Sequence, residues 1–242
     1  MIVQACLNGA RPADFHAALP LTAEAMARDA VAALSEGAAE LHIHPRDREG
    51  KESLAAVSET VRLVRQACPG TFIGVSTGAW IENDVQRTRQ AIAGWTDLPD
   101  YASVNLSEDD APAVIDLLAK IGVGIEAGLA TLDDVERFAA LEIRNRVLRV
   151  LIEVGEPDTD AALALGMAML HDLESAGIRR PVLFHGFNGT IWPFVHRAAE
   201  LGLSTRIGLE DGRKLPDGSL ARDNADMVRA AVAITRAARQ TG

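Results

Sequence analysis

Ala39-Glu40-Leu41-His42-Ile43-His44-Pro45-Arg46-Asp47 is a short strand-like run that breaks at a proline, and Leu54, Val57, Val61 and Val64 follow it. The spacings of three, four and three place those four residues on one helical face, so the stretch reads as a strand running into a helix. The same unit recurs along the chain. Strand-like runs occupy residues 2–7, 39–43, 72–76, 101–105, 121–126, 147–154, 181–185 and 204–209, with helical patterns between them. Eight such units in 242 residues predict a (β/α)₈ TIM barrel, an α/β fold of typically about 250 residues. The rival is a doubly wound open sheet, which calls for a glycine-rich phosphate turn. Asn8-Gly9-Ala10 follows the first run, but no G-x-G-x-x-G opens a helix there, and no P-loop occurs.

The punctuation agrees with this reading. Thr22 and Thr131 stand as helix N-caps before carboxylates of a first turn, Gly37, Gly177 and Gly202 stand where helices stop, and a last helix runs from about Asp223 with Met227, Ala231 and Ile234 inward. With 48% hydrophobic residues and no shift of composition, residues 1–242 read as one domain. The absence of a signal-peptide pattern and of a long apolar stretch predicts a cytoplasmic protein. A formal net charge of -10 argues against nucleic-acid and anionic-membrane partners, which require a clustered positive field. Cys6 and Cys68 fit no zinc-ligand spacing and read as buried apolar residues.

In a barrel, chemistry gathers at the carboxyl ends of the strands, where the following loops converge. The residues there are Asn8, His42 with His44, Ser76 with Thr77, Ser103 with Asn105, Glu126, Glu153, His185, and Arg206 leading to Glu210-Asp211. Strand side chains two apart share a face, so His42 and His44 can reach one metal ion from a single rigid element. A carboxylate from Glu210-Asp211 completes the His₂Glu type of site that leaves a coordination position open. Successive strand residues point to opposite faces, so one of the two carboxylates goes to metal and the other serves as base or orienter. Arg206 lies near enough in sequence to favour an ionised carboxylate or to clamp a substrate carboxylate. Ser76-Thr77-Gly78 reads as a small anion cradle or as ordinary turn chemistry. His185 reads as a third metal ligand, a proton shuttle or a satisfied core histidine; His16, His171 and His196 read as surface or cap residues.

Taken in order and spacing, these residues resemble the β-keto acid cleavage enzyme family, zinc-dependent barrels that exchange acyl groups between a β-keto acid and acetyl-CoA. The likeness runs over nearly the whole chain and rests on Asn8-Gly9-Ala10, Gly37-Ala38-Ala39 leading into His42-Ile43-His44-Pro45-Arg46-Asp47, Ser76-Thr77-Gly78, Val104-Asn105, Gly124-Ile125-Glu126-Ala127-Gly128 and Arg206-Ile207-Gly208-Leu209-Glu210-Asp211. The resemblance implies Zn²⁺, or another divalent ion, on His42, His44 and Glu210, with Asp211, supported by Arg206, as general base. It implies that Ser76 and Gly78, with Thr77 between them, hold the keto acid's carboxylate, and that Ser103, Asn105 and Glu126 line the pocket. It also implies acetyl-CoA as co-substrate, acetoacetate and a new acyl-CoA as products, and a homo-oligomer.

Three features depart from the family. Where members acting on amino-bearing acids carry a glutamate after the first-loop Gly-Ala, this chain has Arg11, which points to a 3-oxo dicarboxylate. The loop at Gly155-Glu156-Pro157 lacks a glycine-rich insertion, and Glu153 has no family counterpart. The competing readings of the same residues are a metal-dependent aldolase or lyase of small oxo acids, a metal-dependent hydrolase, and a non-catalytic barrel.

Overall fold

The computed structural model describes residues 1–241. Eight parallel strands alternate with helices: β1 Val3–Cys6, β2 Glu40–Ile43, β3 Phe72–Ser76, β4 Tyr101–Asn105, β5 Gly124–Leu129, β6 Arg149–Val154, β7 Val182–Gly186 and β8 Thr205–Ile207. Hydrogen-bonded neighbours run in the order β7-β6-β5-β4-β3-β2-β1-β8. The ring closes where Phe184 N–H donates to Ser204 O at 2.9 Å and Leu183 bridges Ser204. This is the (β/α)₈ TIM barrel. No helix among the described residues is long and apolar enough to cross a membrane.

The helices pack outside the strands because each carries one apolar face. On α2 (Val57–Ala67), Val57, Val61 and Val64 are buried, and Leu54 joins them from a short 3₁₀ turn just before the helix. Thr22 Oγ1 accepts from Ala25 N–H at the start of α1 (Ala23–Ser35), and Thr131 forms a reciprocal capping box with Asp134 on α5 (Leu132–Ala140). The last helix, α8 (Asn224–Thr241), buries Met227 and Ala231 and leaves Ile234 half-buried. Cys6 and Cys68 are free and buried.

Several strand boundaries differ from the sequence reading, and two of the differences move site residues. The fifth strand begins at Gly124, because Ile121 closes α4 (Ala111–Ile121) and Gly122 caps it in the left-handed conformation. Glu126 therefore lies in the middle of β5 and points into the barrel. The eighth strand stops at Ile207. A side chain at Gly208 would meet Cys6 O at 1.9 Å, so only glycine lets β8 lie so close to β1. Asp211 N–H and Gly212 N–H both turn back to Gly208 O, at 3.0 and 3.2 Å. Glu210 and Asp211 thus sit in a tight turn rather than on a strand, and both carboxylates can face the barrel axis.

Beneath the mouth the barrel is filled by a polar cluster. Arg149 on β6 pairs with Glu40 on β2, and its Nε donates to Glu126 Oε2 at 2.6 Å. Gln4 Nε2 lies 3.0 Å from Glu40 Oε1, 2.8 Å from Tyr101 Oη and 3.1 Å from Glu126 Oε2. The Arg149 guanidinium stacks over the Tyr101 ring at 4.5 Å. All five side chains are buried.

Candidate active site

His42 and His44 project from β2 and its end with their Nε2 atoms 3.2 Å apart. Glu210 Oε1, from the turn after β8, lies 3.5 Å from His44 Nε2 and 4.0 Å from His42 Nε2. Donors about 2.0–2.1 Å from a tetrahedral ion sit about 3.3–3.4 Å from one another, so this triangle needs only a small contraction to hold one. Glu210 Oε2 is buried without a hydrogen-bond partner, as a further ligand oxygen would be, and His42 Nδ1 is likewise unpartnered. The donor set suits Zn²⁺ and other borderline divalent ions.

Neighbouring residues fix these donors. Asn8 clamps the His44 backbone from both sides, its Nδ2 donating to His44 O at 2.8 Å and its Oδ1 accepting from His44 N–H at 2.9 Å. His44 Nδ1 bonds Glu52 Oε1, whose other oxygen accepts from Trp80 Nε1 at 3.0 Å. Arg46 ties the hairpin carrying Glu52 to the first loop by donating to Gly9 O and Arg11 O, each at 2.8 Å. Gly9 adopts φ +53, and a Cβ there would stand 2.5 Å from Glu210 Cγ. That explains the glycine of Asn8-Gly9-Ala10: it leaves room for the Glu210 side chain.

Burial lowers the His42 imidazole to about 4, which keeps it in the neutral form that binding a metal ion requires. Burial also opposes charge on His44, but Glu210 and Glu52 prevail and raise it to about 9, so an incoming ion must displace a proton there. Glu210 is held well below the usual carboxylate range: burial opposes its charge, and Arg206 and the two histidines overcome that opposition. A Glu52→Gln protein is expected to bind Zn²⁺ about 10–100-fold more weakly with its fold intact, because the ligating imidazole loses its orienting carboxylate. Competition against a chromophoric chelator measures this; unchanged affinity would show that Glu52 serves only to hold Trp80.

Above the triangle opens a cavity of about 360 Å³, lined by residues that include His42, His44, Ser76, Ser103, Asn105, Arg206, Glu210 and Arg11. This is at the small end for ligand sites and suits a small acid. Arg206 is 2% exposed, and its NH2 reaches both Glu210 and Asp211. Asp211 Oδ1 is 3.2 Å from Arg206 NH2 and 3.2 Å from His185 Nε2. Asp211 is fully buried. Arg11 donates from Nε to Glu210 O at 2.8 Å and from NH2 to Asp211 O at 3.0 Å, and it stacks on Phe15.

The other residues expected in the pocket sit apart from it. Thr77 faces away: its Oγ1 donates to Ser103 O at 2.7 Å, as the alternation of side chains past Ser76 requires. Gly78 N–H already donates to Ser76 Oγ at 3.2 Å, and the Trp80 ring lies against its Cα. Glu126 belongs to the polar cluster below. His16, read as a surface or cap residue, is buried: its Nε2 lies 3.0 Å from Ala221 O, and its Nδ1 accepts from Ala18 N–H at 3.1 Å. His171 and His196 are exposed. The sequence reading missed Glu52, Trp80, Leu151 and Phe187. Only Glu52 left a signal, as an acid shortly after a His-x-His pair, where a ligating histidine needs a partner.

Fold and site define a barrel of the class that carries its chemistry at the carboxyl ends of its strands. The sequence profile of the beta-keto acid cleavage enzyme family matches residues 1–241, and the chain belongs to that family. It is 22% identical over 262 residues to the 3-keto-5-aminohexanoate cleavage enzyme of Fusobacterium nucleatum, with 98% of this chain and 91% of the relative covered. Among solved structures it resembles ObcA in a ternary complex with a C4-CoA adduct and oxalate, with TM-score 0.72, 19% identity and 92% of this chain covered. It also resembles ObcA in a binary complex with oxaloacetate, with TM-score 0.67, 19% identity and 87% of this chain covered. The chain spans 64% and 62% of the length of those two ObcA chains. A type I 3-dehydroquinate dehydratase from Clostridium difficile shares the fold at TM-score 0.70 and 10% identity, covering 100% of this chain and 93% of that one.

Proposed function

We propose that the chain is a metal-dependent enzyme that condenses a 3-oxo acid with acetyl-CoA and cleaves the adduct to acetoacetate and a new acyl-CoA. The observation that carries this reading is the His42-His44-Glu210 triangle beside Arg206 at the base of a small cavity, in a member of the beta-keto acid cleavage enzyme family. A relative named for cleaving 3-keto-5-aminohexanoate and a fold neighbour holding oxaloacetate or a C4-CoA adduct support the keto acid and the coenzyme. A divalent ion, Zn²⁺ by its donor set, supplies Lewis-acid polarisation of the substrate's oxygens when bound.

The chain's own residues do the rest. Ser76, Ser103 and Asn105 offer hydroxyl and amide groups to the acid's carboxylate from one side of the cavity. Arg206, anchored by Asp211, presents a fixed positive charge to the enolate that forms when the C2 proton leaves. Asp211, the base that the resemblance implies, pairs with Arg206 through Oδ1 and has its Oδ2 without a hydrogen-bond partner to take the C2 proton. The enolate carbon attacks the thioester carbonyl, coenzyme A passes to the acyl group of the original acid, and retro-Claisen cleavage releases acetoacetate. No protein nucleophile is needed. The same reading makes the enzyme a cytoplasmic homo-oligomer.

Zinc-loaded protein incubated with acetyl-CoA and a panel of 3-oxo acids tests the proposal. New acyl-CoA and acetoacetate in the mass spectrum support it; none from any acid would move the assignment to an aldolase or a hydrolase. Arg11 brings a cation to the cavity wall, which favours a 3-oxo dicarboxylate. Arg11→Glu is expected to lower kcat/KM for a 3-oxo dicarboxylate at least about tenfold more than for a 3-oxo monocarboxylate. Equal losses would leave Arg11 only its bonds to the carbonyls of Glu210 and Asp211.

A further inference from the structure

The carboxylate that completes the triangle stands beyond the end of its strand, and one buried amide fixes where that segment lies. β1 and β8 keep register from Val3↔Thr205 to Ala5↔Ile207. Past that pair, the one backbone bond between the two segments among the described residues is Glu210 N–H to Cys6 O, at a long 3.4 Å. There the side chain of Asn224, the first residue of α8 and fully buried, takes the place of a peptide group. Its Oδ1 accepts from Leu209 N–H at 2.7 Å and its Nδ2 donates to Leu7 O at 2.8 Å. The fit is close, since a Cβ on Gly208 would stand 2.8 Å from Asn224 Oδ1. Leu7 precedes Asn8, which clamps the His44 backbone, and Leu209 precedes Glu210. One amide thus ties the segment that holds His44 to the segment that carries Glu210. Its second Nδ2 proton goes to Asp29 Oδ2, 2.6 Å away on α1. That bond decides which end of the amide is nitrogen, because a carboxylate can only accept.

We propose that Asn224, oriented by Asp29, is the positioning residue that sets the distance from Glu210 to the two imidazoles, and with it the affinity of the site for a divalent ion. Glu210 Oε1 stands 3.5 Å from His44 Nε2 and 4.0 Å from His42 Nε2. Donors around one tetrahedral ion stand about 3.3–3.4 Å apart, so the triangle has little room to open further. The bond to Leu7 O fixes the peptide that enters Asn8. The bond to Leu209 N–H fixes the peptide that leaves Gly208, at the head of the turn that delivers Glu210. Without the amide, a buried N–H and a buried C=O lose their partners, and the turn shifts to satisfy them, taking Glu210 with it. The inference rests on the metal reading of His42, His44 and Glu210 but not on the chemistry that follows.

The test is Zn²⁺ affinity by competition with a chromophoric chelator. It is run at pH 8, where Asp29 is ionised, because burial raises that carboxyl to about 7 against the pull of the Asn224 amide. The Tm of each metal-free variant is measured alongside, and Phe138→Leu, in the buried face of α5, supplies a destabilised control. Asn224→Ala and Asp29→Leu are expected to bind Zn²⁺ about 10–100-fold more weakly, whereas Asp29→Asn, whose amide oxygen still accepts from Asn224, stays within about threefold. Asp29 is only half-buried, so its two variants carry the test even where Asn224→Ala fails to fold. Unchanged affinity in Asn224→Ala and Asp29→Leu overturns the assignment and leaves the metal reading standing. An equal loss in Phe138→Leu also overturns it, by tracing the effect to stability alone. Weakened binding in both variants of a protein whose wild type holds Zn²⁺ but forms no acyl-CoA supports the assignment and overturns the Claisen reading. Wild-type protein that takes up no Zn²⁺ removes both.

Discussion

Glu210→Ala protein is expected to emerge from zinc-supplemented expression with little bound metal and to lose about 10³-fold or more in kcat/KM, while Asp211→Asn keeps the metal and loses turnover. The two neighbours are separated by what each touches. Glu210 Oε1 stands within 4.0 Å of both imidazoles, and removing it leaves two neutral ligands and no anionic one. The polarisation lost with the ion is worth several kcal/mol, and each 1.36 kcal/mol is tenfold in rate. Asp211 approaches no imidazole of the triangle. It pairs with Arg206, so the amide leaves the metal in place and loosens the guanidinium beside the reacting carbon. Metal content by plasma mass spectrometry and acyl-CoA formation on the same samples read both effects. The reverse pattern, metal lost in Asp211→Asn and kept in Glu210→Ala, would exchange the two roles.

The strands were legible because parallel strands covered on both faces must be apolar runs of fixed length, and the convergence of His42 and His44 because a strand period of two puts them on one face. The same period, applied one residue further, would have turned Thr77 away from Ser76. The fifth strand was displaced by Ile121-Gly122-Val123, which reads as strand until Gly122 is recognised as the left-handed end of a helix; the shift carried Glu126 from rim to interior. The separation of Glu210 from Asp211 was left open because it depends on a turn that forms only where Gly208 packs on Cys6, a contact more than two hundred residues apart in sequence. Glu52 left only the signal of an acid shortly after the histidine pair, since it is the hairpin bridging Arg46 and Glu52 that folds it back onto His44.

The cluster under the site carries the largest effect on stability. Arg149→Met leaves Glu40 and Glu126 facing each other in the barrel with only Gln4 and Tyr101 as donors, and stranding buried charge in this way costs about 3–5 kcal/mol. For a chain of this length that is a fall in Tm of about 6–20 °C. Replacing Arg149, Glu40 and Glu126 together by apolar residues of similar volume is expected to recover most of the loss, because the cost lies in the unpaired charge rather than in the absent pair. The pH dependence gives a second, independent sign. Burial opposes the charge on Glu126, but Arg149, with His42 and Arg206, holds its carboxyl below the ordinary value. A depressed folded pKa stabilises the wild-type protein above the unfolded carboxylate's pKa, and that contribution drains away as pH falls through the folded value. In Arg149→Met burial is left unopposed by its strongest partner, the folded pKa rises above the unfolded one, and acid should relieve the defect. Thermal melts at neutral pH and near pH 5 should therefore show the gap between variant and wild type narrowing with acid. A gap that widens, or a neutral-pH loss below about 2 °C, would mean that the barrel absorbs the stranded carboxylates through water and that the Arg149 pairing contributes little to holding the floor beneath the metal ligands.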